Sequence, residues 1–240
     1  MHLGLQMYSV RDITKDDLAG ALKKVAAIGY DNVEFAGFFG HCATEVKQML
    51  IDAGLKVSGT HTGWSELVDN LDATIKFHKG IGNTRIIVPW ADLSTESKID
   101  EVVGVLNDVQ PKLAAEGISL GYHNHQHEFL PNDDGIIPFD ELVARTNIFL
   151  EIDTYWAFVA GKDPIALVRS LEPRVPVVHI KDGTAGGEGT PLGLGVAPVA
   201  EVWKLARELG VELVVESETL TPSGLDEAEI CYKYVEGLEK

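Results

Sequence analysis

A short unit recurs along the chain: a helix-like stretch that ends in glycine, a brief run rich in Val, Ile and Leu, and then a polar residue. Its first occurrence reads Ala26-Ala27-Ile28-Gly29-Tyr30-Asp31-Asn32-Val33-Glu34. It returns around Gly54, ending at His61; around Gly82, ending at Trp90; around Gly117, ending at His123; and around Gly210, ending at Glu216. The glycine supplies the left-handed residue that closes a helix, and the apolar run reads as a strand buried on both faces. Helix, tight turn and parallel strand thus follow one another repeatedly. Three further runs, Leu3 to Met7, Ile148 to Ile152 and Val175 to Ile180, lack the glycine but keep the pattern, which brings the strands to eight.

Between the strands lie segments long enough for helices: Asp16 to Ile28, Ala43 to Ala53, Ser65 to Lys79, Thr95 to Glu116, Phe139 to Thr146, Pro164 to Leu171 and Val196 to Leu209. Pro164 and the Ser, Thr or Asp near several other starts are entry signals. Eight strands alternating with helices over 240 residues predict an α/β fold, a (β/α)8 or TIM barrel. An open doubly wound sheet would need a glycine-rich phosphate turn after an early strand, and Gly37-Phe38-Phe39-Gly40 does not have that form. No linker or composition shift breaks the chain, so residues 1–240 read as one domain. The acidic, glycine-rich stretch from Asp182 to Gly195 follows the seventh strand, where a mobile loop covering the site is expected.

Composition narrows the partners. Lys and Arg number 20 against 37 Asp and Glu, a formal charge of −17, which repels phosphate backbones and anionic lipid. Small molecules and cations are the expected partners, and not nucleic acid or membrane; a homo-oligomer stays open, since no interface patch is legible. No apolar run approaches a membrane span, and the start lacks a basic region followed by an apolar stretch, so the expected location is cytoplasmic. Cys42 and Cys231 are far apart, sit in no metal-type spacing, and read as buried small residues.

The carboxyl ends of the strands carry Glu34, His61, Trp90, His123, Asp153, His179 and Glu216 in order. Barrels catalyse at that face, so ionisable groups gathered there form a candidate site. His123, Asp153, His179 and Glu216 end four consecutive strands and converge on one pole of the mouth, within reach of a single ion. Two imidazoles with two carboxylates suit one divalent ion of intermediate hardness: Mn2+, Co2+, Zn2+ or Mg2+. The alternative is four isolated polar groups satisfied by hydrogen bonds. In Tyr122-His123-Asn124-His125-Gln126-His127-Glu128-Phe129, strand alternation turns His123 and His125 to the same face and leaves Glu128 on the loop.

At these residues the sequence resembles the xylose isomerase-like superfamily of metal-dependent barrels, in its sugar phosphate isomerase/epimerase branch. The resemblance spans essentially the whole chain. It rests on Gln6-Met7-Tyr8-Ser9-Val10-Arg11, Val33-Glu34-Phe35, Ser58-Gly59-Thr60-His61-Thr62-Gly63 and the Tyr122–Phe129 motif. Leu150-Glu151-Ile152-Asp153-Thr154-Tyr155-Trp156, Val178-His179-Ile180-Lys181-Asp182 and Val214-Val215-Glu216-Ser217-Glu218 complete it. It implies that Asp153, His179 and Glu216 are metal ligands. Keto-sugar epimerases of the superfamily end the fifth strand in a ligand glutamate, where this chain has His123; His123, His125 or Glu128 then supplies the remaining ligand, and a strict two-glutamate epimerisation loses one partner.

The activity so implied is a metal-dependent isomerase or epimerase of a small keto-sugar or sugar derivative. A cation stabilises the enediolate formed as the proton beside a carbonyl leaves, and Glu216, Glu128 or His125 carries that proton. A dehydratase or lyase of inosose dehydratase type, or one eliminating from 3-keto-glycosides, would use the same intermediate. An endonuclease IV-like repair enzyme shares the barrel but is disfavoured by charge, and a non-catalytic sugar binder is the remaining reading. Lys181 is expected to hold a substrate oxygen or else to pair with Glu151 or Asp182. Glu34 and His61 are candidate hydroxyl binders. Trp156, with Trp90, Phe38 and Trp64, could wall a sugar ring, and Arg11 could meet a phosphate.

Overall fold

The computed structural model describes residues 2–240 and forms a closed barrel of eight parallel strands. The strands are Gly4–Gln6, Asn32–Phe35, Lys56–His61, Arg85–Val88, Ser119–His123, Phe149–Asp153, Val177–Ile180 and Glu212–Val215. The ring closes where Gly4 and Leu5 pair with Val214 and Val215. Each predicted strand is present, and the glycines that precede five of them, Gly29, Gly54, Gly82, Gly117 and Gly210, all have positive φ. Glycine there ends the helix without the steric cost a Cβ would impose.

Helices Ala43–Ala53 and Pro164–Leu171 match their predicted bounds. The segment from Ser65 to Lys79, read as one helix, is two, Trp64–Val68 and Leu71–Ile81, with the break at Asp69-Asn70. Three helices went unread: the short Arg11–Thr14, then Thr154–Val159, capped by Asp153, and Gly224–Leu238, capped by Ser223. The stretch after the seventh strand is no loose cover. Asp182–Gly183 pairs antiparallel with Gly189–Thr190, and the Asp182 carboxylate accepts from the backbone N–H of Gly183, Gly193, Gly195 and Ala197. Cys231 is buried as expected, but Cys42 is exposed at the start of helix Ala43–Ala53.

The strands are not apolar on both faces. Leu5, Val33, Phe35, Leu150, Ile152, Val178, Ile180, Leu213 and Val215 pack outward in one core cluster with the helices, and Ile86, Val88, Leu120 and Tyr122 do so in another. The alternate residues turn into the barrel, and towards its carboxyl end nearly all of them are polar. Gln6, Glu34, His123, Glu151, Asp153, His179, Lys181 and Glu216 are all buried there. Inward glycines make space: a Cβ on Gly121 would lie 2.3 Å from the Phe149 ring, and one on Gly59 would lie 3.0 Å from Glu34 Oε2.

Outside the barrel, His78 is buried and its Nδ1 lies 3.2 Å from Thr60 Oγ1 and 3.0 Å from Asn83 Nδ2. Burial pushes its pKa down to about 4. Between that value and the usual 6.5 the unfolded chain binds the proton that the folded chain refuses, so His78 makes stability fall as pH drops through that window. Urea unfolding at pH 7 and pH 5 should show His78→Gln losing about 1–2 kcal/mol less than wild type on acidification, on top of a lower starting stability.

Candidate active site

Four strand ends deliver the predicted quartet. In the parallel ladder His123 faces Glu151, and Asp153 faces His179. Barrel stagger then brings His123, Asp153, His179 and Glu216 together, with one donor atom from each lying within 4.8 Å of all the others. Donors of one ion with bonds of roughly 2.0–2.3 Å are at most about 4.6 Å apart, so a closure of a few tenths of an ångström seats all four on one centre.

Asp153 and His179 are held from outside this layer. Asp153 uses Oδ1 to cap the following helix, accepting from Trp156 N–H at 2.8 Å, while Oδ2 is buried with no hydrogen-bond partner. His179 Nε2 lies 2.8 Å from Glu34 Oε1, which turns Nδ1 toward Glu216 Oε2 at 3.4 Å. An imidazole held by a carboxylate at one nitrogen and free to ligate through the other is the usual support of a metal-binding histidine. Buried polar atoms are ordinarily satisfied, so the unpaired Asp153 Oδ2 in this nitrogen and oxygen donor set fits a divalent cation.

A second layer lies beneath. Glu151 Oε2 is 2.8 Å from His61 Nε2, 3.3 Å from His123 Nδ1 and 3.3 Å from His179 Nε2. Glu34 Oε1 is 3.2 Å from His61 Nε2 and accepts from Gln6 Nε2 at 2.6 Å. The sequence reading named Glu151 only as a pair for Lys181, although it precedes Asp153 by two residues and so shares its inward face with the site.

Burial raises the Glu151 carboxyl, and the neighbouring Glu34 charge raises it further. Burial works the same way on Glu34, but His61 and His179 overcome it and hold that carboxyl low. Two acids sharing one pair of imidazoles thus divide into one ionised and one readily protonated. Burial raises Asp153, the charge on Glu216 adds to it, and Lys181 opposes it. Glu216 goes the other way: burial would raise it, yet Lys181 and His179 hold it well below the usual carboxylate range.

The remaining expected residues divide. His125 lines a cavity of about 400 Å³ at the mouth together with Tyr8, Ala36, His61, Pro89, Trp90, His123, Glu216 and Glu218, and burial lowers its pKa to about 4. Glu128 is turned away from the quartet: its carboxylate accepts from Tyr122 O–H at 3.0 Å and His125 N–H at 2.8 Å, because Tyr122 faces the helices and pulls it outward. Lys181 pairs with neither Glu151 nor Asp182. Its Nζ is 2.8 Å from Glu218 and 3.5 Å from Glu216, and it sits 4.8 Å from the centre of the Trp156 ring.

Arg11 does not line the mouth cavity; its guanidinium donates to the carbonyls of Tyr8 and Glu218. Phe38 and Trp64 pack into the two core clusters and not against the mouth, whereas Trp90 lies on the rim, 57% exposed. Tyr8 and Glu218 are site residues that the sequence reading passed over. Both follow the inward residues of their strands by two positions, Tyr8 after Gln6 and Glu218 after Glu216.

These features define a parallel barrel with a polar interior and a cation-type donor set at its carboxyl face. A xylose isomerase-like TIM barrel family model matches residues 22–234, and the chain belongs to that family. Among solved structures, a sugar phosphate isomerase/epimerase from Parabacteroides distasonis is 24% identical with a TM-score of 0.83, over 98% of this chain and 97% of that one. The probable 3-DHS dehydratase AsbF from Bacillus anthracis is 12% identical with a TM-score of 0.79, over 98% and 99%. The IOLI protein with a binding zinc atom is 14% identical with a TM-score of 0.78, over 99% and 98%. At these identities the likeness is one of fold. No curated protein matches significantly. Among the described residues, no helix is long and apolar enough to cross a membrane.

The orphaned Asp153 Oδ2 yields a prediction. Adding Mn2+ or Zn2+ should raise the melting temperature of the wild type, as any ligand selective for the folded state does, and should leave Asp153→Asn unmoved. Without metal, Asp153→Asn should melt no lower than wild type, since the amide oxygen retains the helix cap and the desolvated charge is gone. Differential scanning calorimetry with and without chelator reads both.

Proposed function

We propose that the protein is a divalent-metal-dependent isomerase or epimerase of a small keto-sugar or sugar derivative, acting by removal of the proton beside a carbonyl. The single observation that carries this reading is the convergence of His123, Asp153, His179 and Glu216 at the barrel mouth with Asp153 Oδ2 left unpaired. Family membership and the printed descriptions of the isomerase/epimerase and zinc-bearing neighbours support it.

His123, Asp153, His179 and Glu216 would hold the ion, which when bound supplies positive charge to stabilise the enediolate oxygens. The chain's own groups do the rest. Glu34 fixes the His179 ring through Nε2, and Glu151 ties His61 to the same layer. Glu216 and His125 face the cavity and are the groups placed to take and return the proton, whereas Glu128 is occupied by Tyr122 and the His125 backbone. Lys181, its ammonium kept charged against burial by Glu216, Asp153 and Glu218, lies beneath the mouth at the edge of Trp156 and holds the Glu216 and Glu218 carboxylates in place.

A second reading uses the same enediolate for elimination, as in a dehydratase or lyase. The observation favouring it is that the fifth strand ends in His123 and that Glu128 is turned away, so the second carboxylate of a two-glutamate epimerisation is missing from its place. Product analysis with free ketoses, inososes and 3-keto-glycosides separates the two.

Incubation with metal and these ketones in deuterated water should label the carbon beside the carbonyl. Glu216→Gln should lower that exchange by roughly 10²–10⁴-fold with the fold intact by circular dichroism. Full exchange by Glu216→Gln would refute the assignment. Metal analysis of His123→Ala tests the fifth-strand ligand, with reduced bound metal as the expected result.

A further inference from the structure

Barrels that bind phosphorylated substrates commonly hold the phosphate in the loops after the seventh and eighth strands, on backbone N–H groups. Here both loops commit those donors to carboxylates of their own. After the seventh strand, Asp182 Oδ1 accepts from Gly183 N–H at 2.8 Å and Ala197 N–H at 3.1 Å, and Oδ2 from Gly193 N–H at 2.9 Å and Gly195 N–H at 3.0 Å. A Cβ on Gly195 would lie 2.2 Å from Asp182 Oδ1, so glycine is what lets the loop close around the carboxylate. After the eighth strand the buried Glu227 takes one backbone donor, Leu220 N–H at 2.6 Å, and two hydroxyls, Ser217 O–H at 2.8 Å and that of Thr219.

The cations are committed as well. Lys181 is fully buried between Glu216 and Glu218, and Arg11 is turned onto the carbonyls of Tyr8 and Glu218. No Lys or Arg lines the mouth cavity, and its rim carries two exposed aromatic rings, Tyr8 and Trp90, beside the acidic Glu218. A dianionic group entering here would meet the Glu216 and Glu218 carboxylates and the imidazoles of His61, His123 and His125 but no lysine or arginine, whereas the C–H face of an uncharged sugar ring or an aryl group would find aromatic surface.

We infer that the ligand carries no phosphate, and that the part reaching out of the mouth is an uncharged sugar or aryl ring stacked on Tyr8 and Trp90. The inference rests on the reading of the mouth as a carbohydrate site and narrows its ligands to neutral glycosides or free sugars.

The test is equilibrium binding to protein stripped of divalent ions, so that no ion can hold a phosphate. Calorimetric titration compares phenyl β-D-glucopyranoside, its 6-phosphate and inorganic phosphate. The neutral glycoside should bind at least tenfold tighter than its phosphate ester. Trp90→Ala and Tyr8→Ala should each weaken it by roughly three- to tenfold, and Trp90→Phe should retain most of the affinity. Trp90 is exposed, so its replacement leaves the core untouched. The inference is overturned if the phosphate ester binds as tightly as the neutral glycoside, if inorganic phosphate competes with it, if the alanine variants bind unchanged, or if the neutral glycoside does not bind. This readout involves no proton exchange. Absence of deuterium labelling with every ketone, alongside the expected affinity pattern, would bring down the proposed activity and leave the uncharged-ligand assignment standing.

Discussion

Acids and imidazoles removed from water are tolerable only in each other's company, and the interior of this barrel is built on that constraint. An isolated carboxylate in such a place would be strongly disfavoured, and removing one partner of a buried pair leaves the other uncompensated. Glu34, His61, Glu151 and His179 therefore form one knot, and His179 carries its influence up to Glu216. The apolar work of holding the fold together is done outside the ring, where the outward strand residues meet the helices. Stability and chemistry occupy opposite faces of the same strands.

Asp153 Oδ2 departs from full satisfaction where the site needs it, and Glu34 Oε2, Glu151 Oε1 and His125 Nδ1 around it are likewise buried without a hydrogen-bond partner. The pairing of Lys181 with Glu216 and Glu218 shows the same economy, since it neutralises the carboxylates nearest the mouth with a cation that is itself hidden from solvent. The cavity above is left aromatic at its rim, without a lysine or arginine in its lining.

Much of this was legible in the sequence, because glycine-closed helices and strand-end residues are local signals. Gly29, Gly54, Gly82, Gly117 and Gly210 marked where strands begin, and reading the residue at each far end assembled His123, Asp153, His179 and Glu216. Glu151 was read only as a pair for Lys181, because its imidazole partners His61, His123 and His179 come from other strands, although alternation already placed it on the inner face with Asp153. What the sequence could not disclose was set by tertiary partners. Glu128 follows the outward Tyr122, Arg11 is claimed by carbonyls at the end of another strand, and Asp182 gathers amides from up to fifteen residues further on. The helix Gly224–Leu238 lacks a strand after it and so fell outside the repeat.

Glu151 and Asp153 belong to the two polar layers, yet they stand two positions apart on one strand, as do His179 and Lys181. A single-residue insertion or deletion within either strand would exchange the acidic or basic groups for the isoleucine between them and expose them to the helices. The strands of such a protein are frozen in length as well as in identity. Any drift toward a new ligand must then be written in the segments beyond the strand ends, where Tyr8, Trp90 and the Asp182 hairpin stand outside the interlocked pairs beneath them.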